Sequence, residues 1–243
     1  MTSISVASGK GGTGKTTLTL NIGATLALQD REVVLVDGDF MNRSLTVLCD
    51  LMQQPRGFAD LLFDPEVEIG ELIYNFTSLK KLRLIPSAST SLDLFSRIED
   101  LLQNKKDRLV NRMKEIADCA ECVLIDTPAG ISDGVLLAIS TAEKFCIVTE
   151  TGEAELESAL LTNSFARSVG LESCGVILNK LRGPPPKEFL ARCESIFGKI
   201  IGEIPFDIRF INAFQEKSIF CMTYPDAPSS KAIRDIAEEL FPT

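Results

Sequence analysis

The densest chemistry in this chain lies in one ten-residue stretch, Ser8 to Thr17, which reads SGKGGTGKTT. It gathers four of the 16 glycines, two lysines and four hydroxyl side chains. Gly9, Gly14, Lys15 and Thr16 occupy the fixed places of G-x-x-x-x-G-K-[ST]. Glycine tolerates positive φ, so backbone N–H groups can close around phosphate oxygens. A helix starting at about Thr16 turns the positive end of its dipole toward the same oxygens. Lys15 then supplies a point charge, and the Thr16 hydroxyl suits Mg²⁺. The expected phosphate cradle is Gly11, Gly12, Thr13, Gly14, Lys15, Thr16 and Thr17.

Three carboxylates extend this chemistry. Asp37 closes the apolar run Val33–Val36 and is followed by Gly38-Asp39. Asp126 closes Cys122–Ile125 and opens Asp126-Thr127-Pro128-Ala129-Gly130. A carboxylate ending a buried strand beside a phosphate loop can hold Mg²⁺ through its water shell. Asp126 is the expected water-mediated metal partner, with Thr16 and Asp37 beside it. Asp39 is the candidate for orienting an attacking water.

These residues need a frame. Short apolar runs alternate with helical periodicity along the chain: Ile4–Ala7, Val33–Val36, Leu82–Ile85, Cys122–Ile125, Phe145–Val148, Gly175–Leu178 and Ile200–Ile204 read as strands. Helices are expected over about 16–29, 106–117, 153–168 and 230–241. Continuously apolar strands separated by helices mean a mostly parallel sheet covered on both faces, an α/β fold. No linker or repeat divides residues 1–243, so a single domain is expected. Ligands of such sheets bind at the carboxyl ends of the strands, where the loop and the aspartates stand.

Composition narrows the function. The net charge of −9 opposes binding to nucleic acid or anionic lipid. No apolar run approaches the length of a membrane span, and the N-terminus lacks the pattern of a signal peptide. Seven irregularly spaced cysteines suit reduced thiols in a cytoplasm. The absence of histidine removes His-based triads and most zinc enzymes.

An ordinary phosphate loop needs no second lysine. The stretch KGGTGKTT, with VDGD and LIDTPAG at these separations, resembles the deviant Walker A P-loop ATPases, the family of MinD, ParA, the Mrp-type carriers and the nitrogenase iron protein. Similarity extends over essentially the whole chain. VILNK and IGEIPFD resemble the MinD branch, especially its short archaeal members. The resemblance implies ATP or ADP with Mg²⁺, and a homodimer in the ATP state. Lys10 would reach across that dimer to the partner's phosphates, beside Lys15 and Asp39 as catalytic groups. It also implies adenine contacts from Asn179, Pro205 and Asp207. The activity implied is slow ATP hydrolysis driving a dimerisation switch in spatial regulation, such as positioning a division site, with a protein partner the sequence does not name. The same resemblance admits two other outputs: an ATP-dependent metallocluster carrier, and a ParA-type cargo positioner.

Three segments depart from the MinD pattern. Thr151-Gly152-Glu153-Ala154-Glu155-Leu156 stands where Asn-Pro-Glu followed by two serines is usual, which leaves the partner open. The final helix carries Lys231 and Arg234 against Asp235, Glu238 and Glu239, so it is expected to dock on the sheet and not to anchor the protein to a membrane. Cys119 and Cys122 form a CxxC that runs into a strand and is expected to be incidental. Phe206, Phe210, Phe214 and Phe220 are expected to be packing residues.

Overall fold

The computed structural model describes residues 2–76, 79–87, 97–101 and 106–242, with only the backbone described over 106–110. The strands are β1 (Thr2–Ala7), β2 (Val33–Asp37), β3 (Tyr74–Asn75), β4 (Leu82–Ile85), β5 (Cys122–Asp126), β6 (Lys144–Thr149), β7 (Glu172–Leu181) and β8 (Ile200–Pro205). The principal helices are α1 (Lys15–Leu28), α2 (Ser44–Leu48), α3 (Phe58–Phe63), α4 (Lys106–Asp118), α5 (Asp133–Ser140), α6 (Glu153–Ser168), α7 (Lys187–Phe197), α8 (Arg209–Gln215), α9 (Phe220–Thr223) and α10 (Pro228–Leu240).

The sheet runs β3-β4-β2-β5-β1-β6-β7-β8. Only the short edge strand β3 is antiparallel to its neighbour. β1 lies between β5 and β6. The chain leaves β1 toward β2 on one side and later crosses from β5 to β6 on the other. That reversal opens a crevice beyond the carboxyl end of β1, the usual ligand position in such sheets.

Side chains of β2 alternate between faces, and both faces are apolar. Val33 and Leu35 enter one core cluster while Val34 and Val36 enter another. With helices on both sides, neither face can be polar, so the strand reads as a continuous apolar run. Helix α1 is buried nearly all round and passes so close to the sheet that a Cβ at Gly23 would lie 2.6 Å from Leu35 Cδ2. Its interior polar side chains are satisfied: Thr19 and Thr25 donate to carbonyls one turn back, and Asn21 accepts from the Cys221 backbone N–H at 2.9 Å.

Helix α10 docks on the sheet as its stripe predicts. Ile233, Ile236, Ala237 and Leu240 are buried. Each buried Ile or Leu is worth about 1.5–3 kcal/mol relative to exposure. Among the described residues no helix is long and apolar enough to cross a membrane.

Two departures from the sequence reading lie at the crevice. β7 extends to Leu181, so Asn179 lies within the strand and not after it. Of the four phenylalanines expected to pack, Phe220 is buried and stacks on Phe210 with ring centroids 3.7 Å apart. Phe206 and Phe214, however, are 40% and 56% exposed. They follow β8 on the rim of the crevice, where the sheet no longer offers a covered face.

Candidate functional site

The glycine loop sits between β1 and α1. Gly12 and Gly14 adopt φ of 81° and 98°, a left-handed backbone that glycine takes without steric penalty. Gly14 is required a second time, because a Cβ there would collide with Asn179 Nδ2. Gly14 is also the N-cap of α1 and caps with no side chain, so the first-turn N–H groups lack a side-chain acceptor. Ser8 Oγ donates to the Lys10 carbonyl at 2.7 Å and fixes the start of the loop. The Gly130 N–H donates to the Ser8 carbonyl, tying the segment after β5 to the same loop.

Strand pairing brings the carboxylates here. Asp37 and Asp126 are register partners at the ends of β2 and β5. Gly38 lets the two chain ends meet: its N–H donates to the Asp126 carbonyl, and a Cβ there would lie 2.8 Å from that oxygen. Thr16 Oγ1 donates to Asp126 Oδ2 at 2.6 Å. Lys15 is buried among these acids. Burial pulls its pKa down, against the opposing charges of Asp126 and Asp39. Burial pushes Asp126 up to about 7, with the Asp37 charge adding to it and Lys15 opposing it. Asp37 is raised to about 6, again mainly by burial.

The two buried acids are placed differently. Asp37 is fully engaged: Oδ2 accepts from the Thr46 N–H and hydroxyl, and Oδ1 from the Asp39 N–H. Asp126 Oδ1 is buried with no protein partner among the described residues. That orphaned oxygen beside a hydroxyl fits a hard divalent cation, which takes oxygen ligands. No three His, Cys, Asp or Glu side chains among the described residues form a self-contained metal site. A cation here would therefore draw on Thr16, on Asp126 and on phosphate oxygens, the usual pattern for Mg²⁺; Asp37, expected beside them as a metal residue, instead has both carboxylate oxygens taken by Thr46 and Asp39. Asp39 is held rigidly, accepting from the Met41 and Asn42 N–H groups and from Asn42 Nδ2 at 2.9 Å.

Two hollows border the loop. One, about 410 Å³, is lined by Gly11, Gly12, Lys15, Thr16 and Asp39, with Phe214 on its rim. The other, about 350 Å³, is lined by Asn179, Pro205, Phe206, Asp207 and Phe210. Gly14 and Thr17 border both. Asn179 Nδ2 donates to the Thr13 carbonyl at 2.7 Å, joining β7 to the loop. Arg209 holds the Asp207 carboxylate through two bonds of 2.9 and 2.6 Å and keeps it below the usual carboxylate range. Pro205 lines the hollow, and its carbonyl accepts from Ser229 Oγ.

The structure thus brings the loop residues 11–17 and Asp39, Asn179, Pro205 and Asp207 to the two hollows, with Asp37 and Asp126 at the strand ends behind them. It adds several that the sequence did not mark. Lys180, in left-handed backbone at φ 58°, donates to the Gly12 carbonyl and to Glu150 Oε1. Thr46 secures Asp37, and Arg182 lies over the Phe206 ring at 4.5 Å. Only Lys180, beside Asn179, had any signal in the sequence. Lys10 pairs with Glu155 at 2.8 Å. The CxxC is not a paired site: Cys122 is buried in β5, and Cys119 Sγ donates to the Glu115 carbonyl.

A phosphate loop at the crevice of this sheet defines a P-loop nucleotide-binding protein. Residues 1–166 match the AAA_31 family, described as an AAA domain. The chain is 30% identical over 239 residues to an uncharacterized ATP-binding protein of Methanocaldococcus jannaschii, spanning 98% of this chain and 87% of that one. It is 33% identical over 180 residues to the septum site-determining protein MinD of Synechocystis, covering 74% of this chain and 64% of that protein. The cell division ATPase MinD of Pyrococcus furiosus superposes with a TM-score of 0.83 at 26% identity, over 98% of each chain. The chain belongs to the MinD/ParA family of P-loop ATPases, on the side of the archaeal MinD-like proteins.

Proposed function

We propose that this protein is a Mg²⁺–ATP-dependent homodimerisation switch whose slow hydrolysis resets a positioning cycle in the cytoplasm. One observation carries the reading: Lys15, Thr16, Asp37, Asp39 and Asp126 converge at the head of α1, with Asp126 Oδ1 buried and unpaired. Septum-site determination by the Synechocystis relative supports a positioning output.

In this reading the backbone of residues 11–17 cradles the phosphates, and Lys15 neutralises their charge. Thr16 and Asp126 would hold Mg²⁺, which would neutralise charge developing on the phosphate oxygens. Asp37 keeps Asp39 and Thr46 in place behind that pair. Asp39, fixed by Asn42, orients the attacking water. Asn179, Pro205 and Asp207 border the hollow for adenine. Lys10 serves the nucleotide of the other subunit, the charge-stabilising role an arginine finger fills elsewhere. A net charge of −9 opposes DNA as the partner.

Light scattering after size exclusion in ATP tests the roles. Lys10→Ala should bind ATP but remain monomeric, whereas Asp39→Ala should bind, dimerise and persist. Both should lose about a hundredfold or more in turnover. A Lys10→Ala protein that dimerises normally, or a monomeric Asp39→Ala, would overturn the assignment.

A further inference from the structure

Two carboxylates line the hollow between the ends of β7 and β8, Glu150 and Asp207, and a cation holds each. Glu150 pairs with Lys180 where both side chains are 37% exposed. Asp207 is more enclosed, at 11%, and more completely engaged. Its Oδ1 accepts from the Arg209 backbone N–H at 3.0 Å and from Nε at 2.9 Å, and its Oδ2 accepts from Nη2 at 2.6 Å. These bonds hold the carboxyl below its usual range. The guanidinium also lies over the Tyr224 ring at 4.9 Å and the Phe220 ring at 6.0 Å. Phe220 in turn stacks on Phe210, which lines the hollow.

This clamp bears on the choice of base. The polar edge of a 6-oxo purine such as guanine carries two adjacent N–H donors and an acceptor at O6. A free carboxylate is an acceptor-only fork that matches the donor pair. The edge of a 6-amino purine carries a donor at N6 and an acceptor at N1, and a free carboxylate would repel that acceptor. With both Asp207 oxygens taken by one guanidinium, the fork is not offered to the base. Asn179 adds the complementary preference. Its Nδ2 donates to the Thr13 carbonyl, which fixes the orientation of the amide and leaves Oδ1 as its acceptor. An amide oxygen accepts from a 6-amino group and opposes O6.

We propose that Arg209 is a specificity-determining residue, a role that rests on the reading of this hollow as the base site. By withholding Asp207 it makes the hollow select 6-amino over 6-oxo purine nucleotides. Selectivity then comes from an attraction denied to the wrong base as well as from one offered to the right base.

Calorimetry with ATP, GTP and inorganic tripolyphosphate, each with Mg²⁺, tests the role. The variants are Arg209→Gln, Arg209→Lys, and Arg209→Gln combined with Asp207→Asn. Arg209→Gln should narrow the preference for ATP by about five- to a hundredfold, chiefly by tightening GTP. Tripolyphosphate binding should not change, which also reports that the variant is folded. Arg209→Lys keeps the charge without the fork and should narrow the preference less. The double variant has no carboxylate to offer and should regain the original preference; packing lost around α8 would not be repaired by Asp207→Asn. Should Arg209→Gln lose tripolyphosphate binding, the ATP-to-GTP ratio of Arg209→Lys decides. If that ratio is unchanged in the folded Arg209 variants, while Phe206→Ala weakens ATP and spares tripolyphosphate, the role of Arg209 is wrong and the base site stands. If Phe206→Ala weakens both ligands equally, the hollow does not hold the base and the role of Arg209 falls with it.

Discussion

At one end of the crevice Lys15 is 7% exposed, walled by buried acids and fixed by the turn that Gly14 makes. At the other end Phe206 is 40% exposed, and the hollow it borders is assembled from the ends of β7 and β8. The first end is built from ten consecutive residues and two strand ends. The second has no contiguous motif. Charge must be met by groups already in place, because reorganising dipoles around a phosphate is costly. An aromatic or apolar surface tolerates a looser fit, since burial is non-directional. The difference explains why the lysine and the acids at one end are buried while Phe206 at the other stands exposed.

The largest expected effect lies at the rigid end. Lys15→Ala removes charge-assisted hydrogen bonds to phosphate and should weaken ATP binding by about a hundredfold or more in calorimetry. Retained tight binding would dissolve the contrast between the two ends.

Asp126→Asn should act in two opposite directions. With nucleotide, Mg²⁺-dependent binding and turnover should fall. Without it, the protein should be more stable near pH 8. The sign follows from the raised folded-state pKa: between about 4 and 7 the folded protein binds more protons than the unfolded chain, so its stability falls as pH rises through that window. Replacing the acid by its amide should flatten that fall and raise stability near pH 8 by about 1–3 kcal/mol. Denaturant titrations at pH 5 and pH 8 decide it; an unchanged slope would mean the Asp126 charge is not strained by burial.

The smallest effect belongs to the open end. Phe206→Ala should cost about five- to tenfold in ATP affinity through lost stacking and leave inorganic triphosphate binding unchanged. Equal losses for both ligands would show that this hollow does not hold the base.

Much of this was legible in the sequence because it is encoded locally. Glycines in positive φ, a lysine at the head of a helix and an acid at the end of a buried strand leave marks within a few residues of one another. Continuous apolar runs such as Val33–Val36 announced strands covered on both faces. The short helices α2 and α3, at five and six residues, carry too little periodicity to be read. Phe206 and Phe214 were misjudged because apolar type predicts burial only one way; a phenylalanine beyond a strand end has no covered face to enter.

The sequence by itself determined the phosphate loop, the identities of the acids and the α/β alternation, since each follows from backbone freedom or side-chain period along a short segment. The tertiary structure decided which acids share a wall. The β2–β5 register sets Asp37 beside Asp126, and Thr16 reaches Asp126 across 110 residues of chain. It also decided that Lys10 rests on Glu155, 145 residues away. Such contacts depend on strand order and helix docking, which local propensity does not specify. Charge placed far apart in sequence acquires meaning only when the sheet closes the distance.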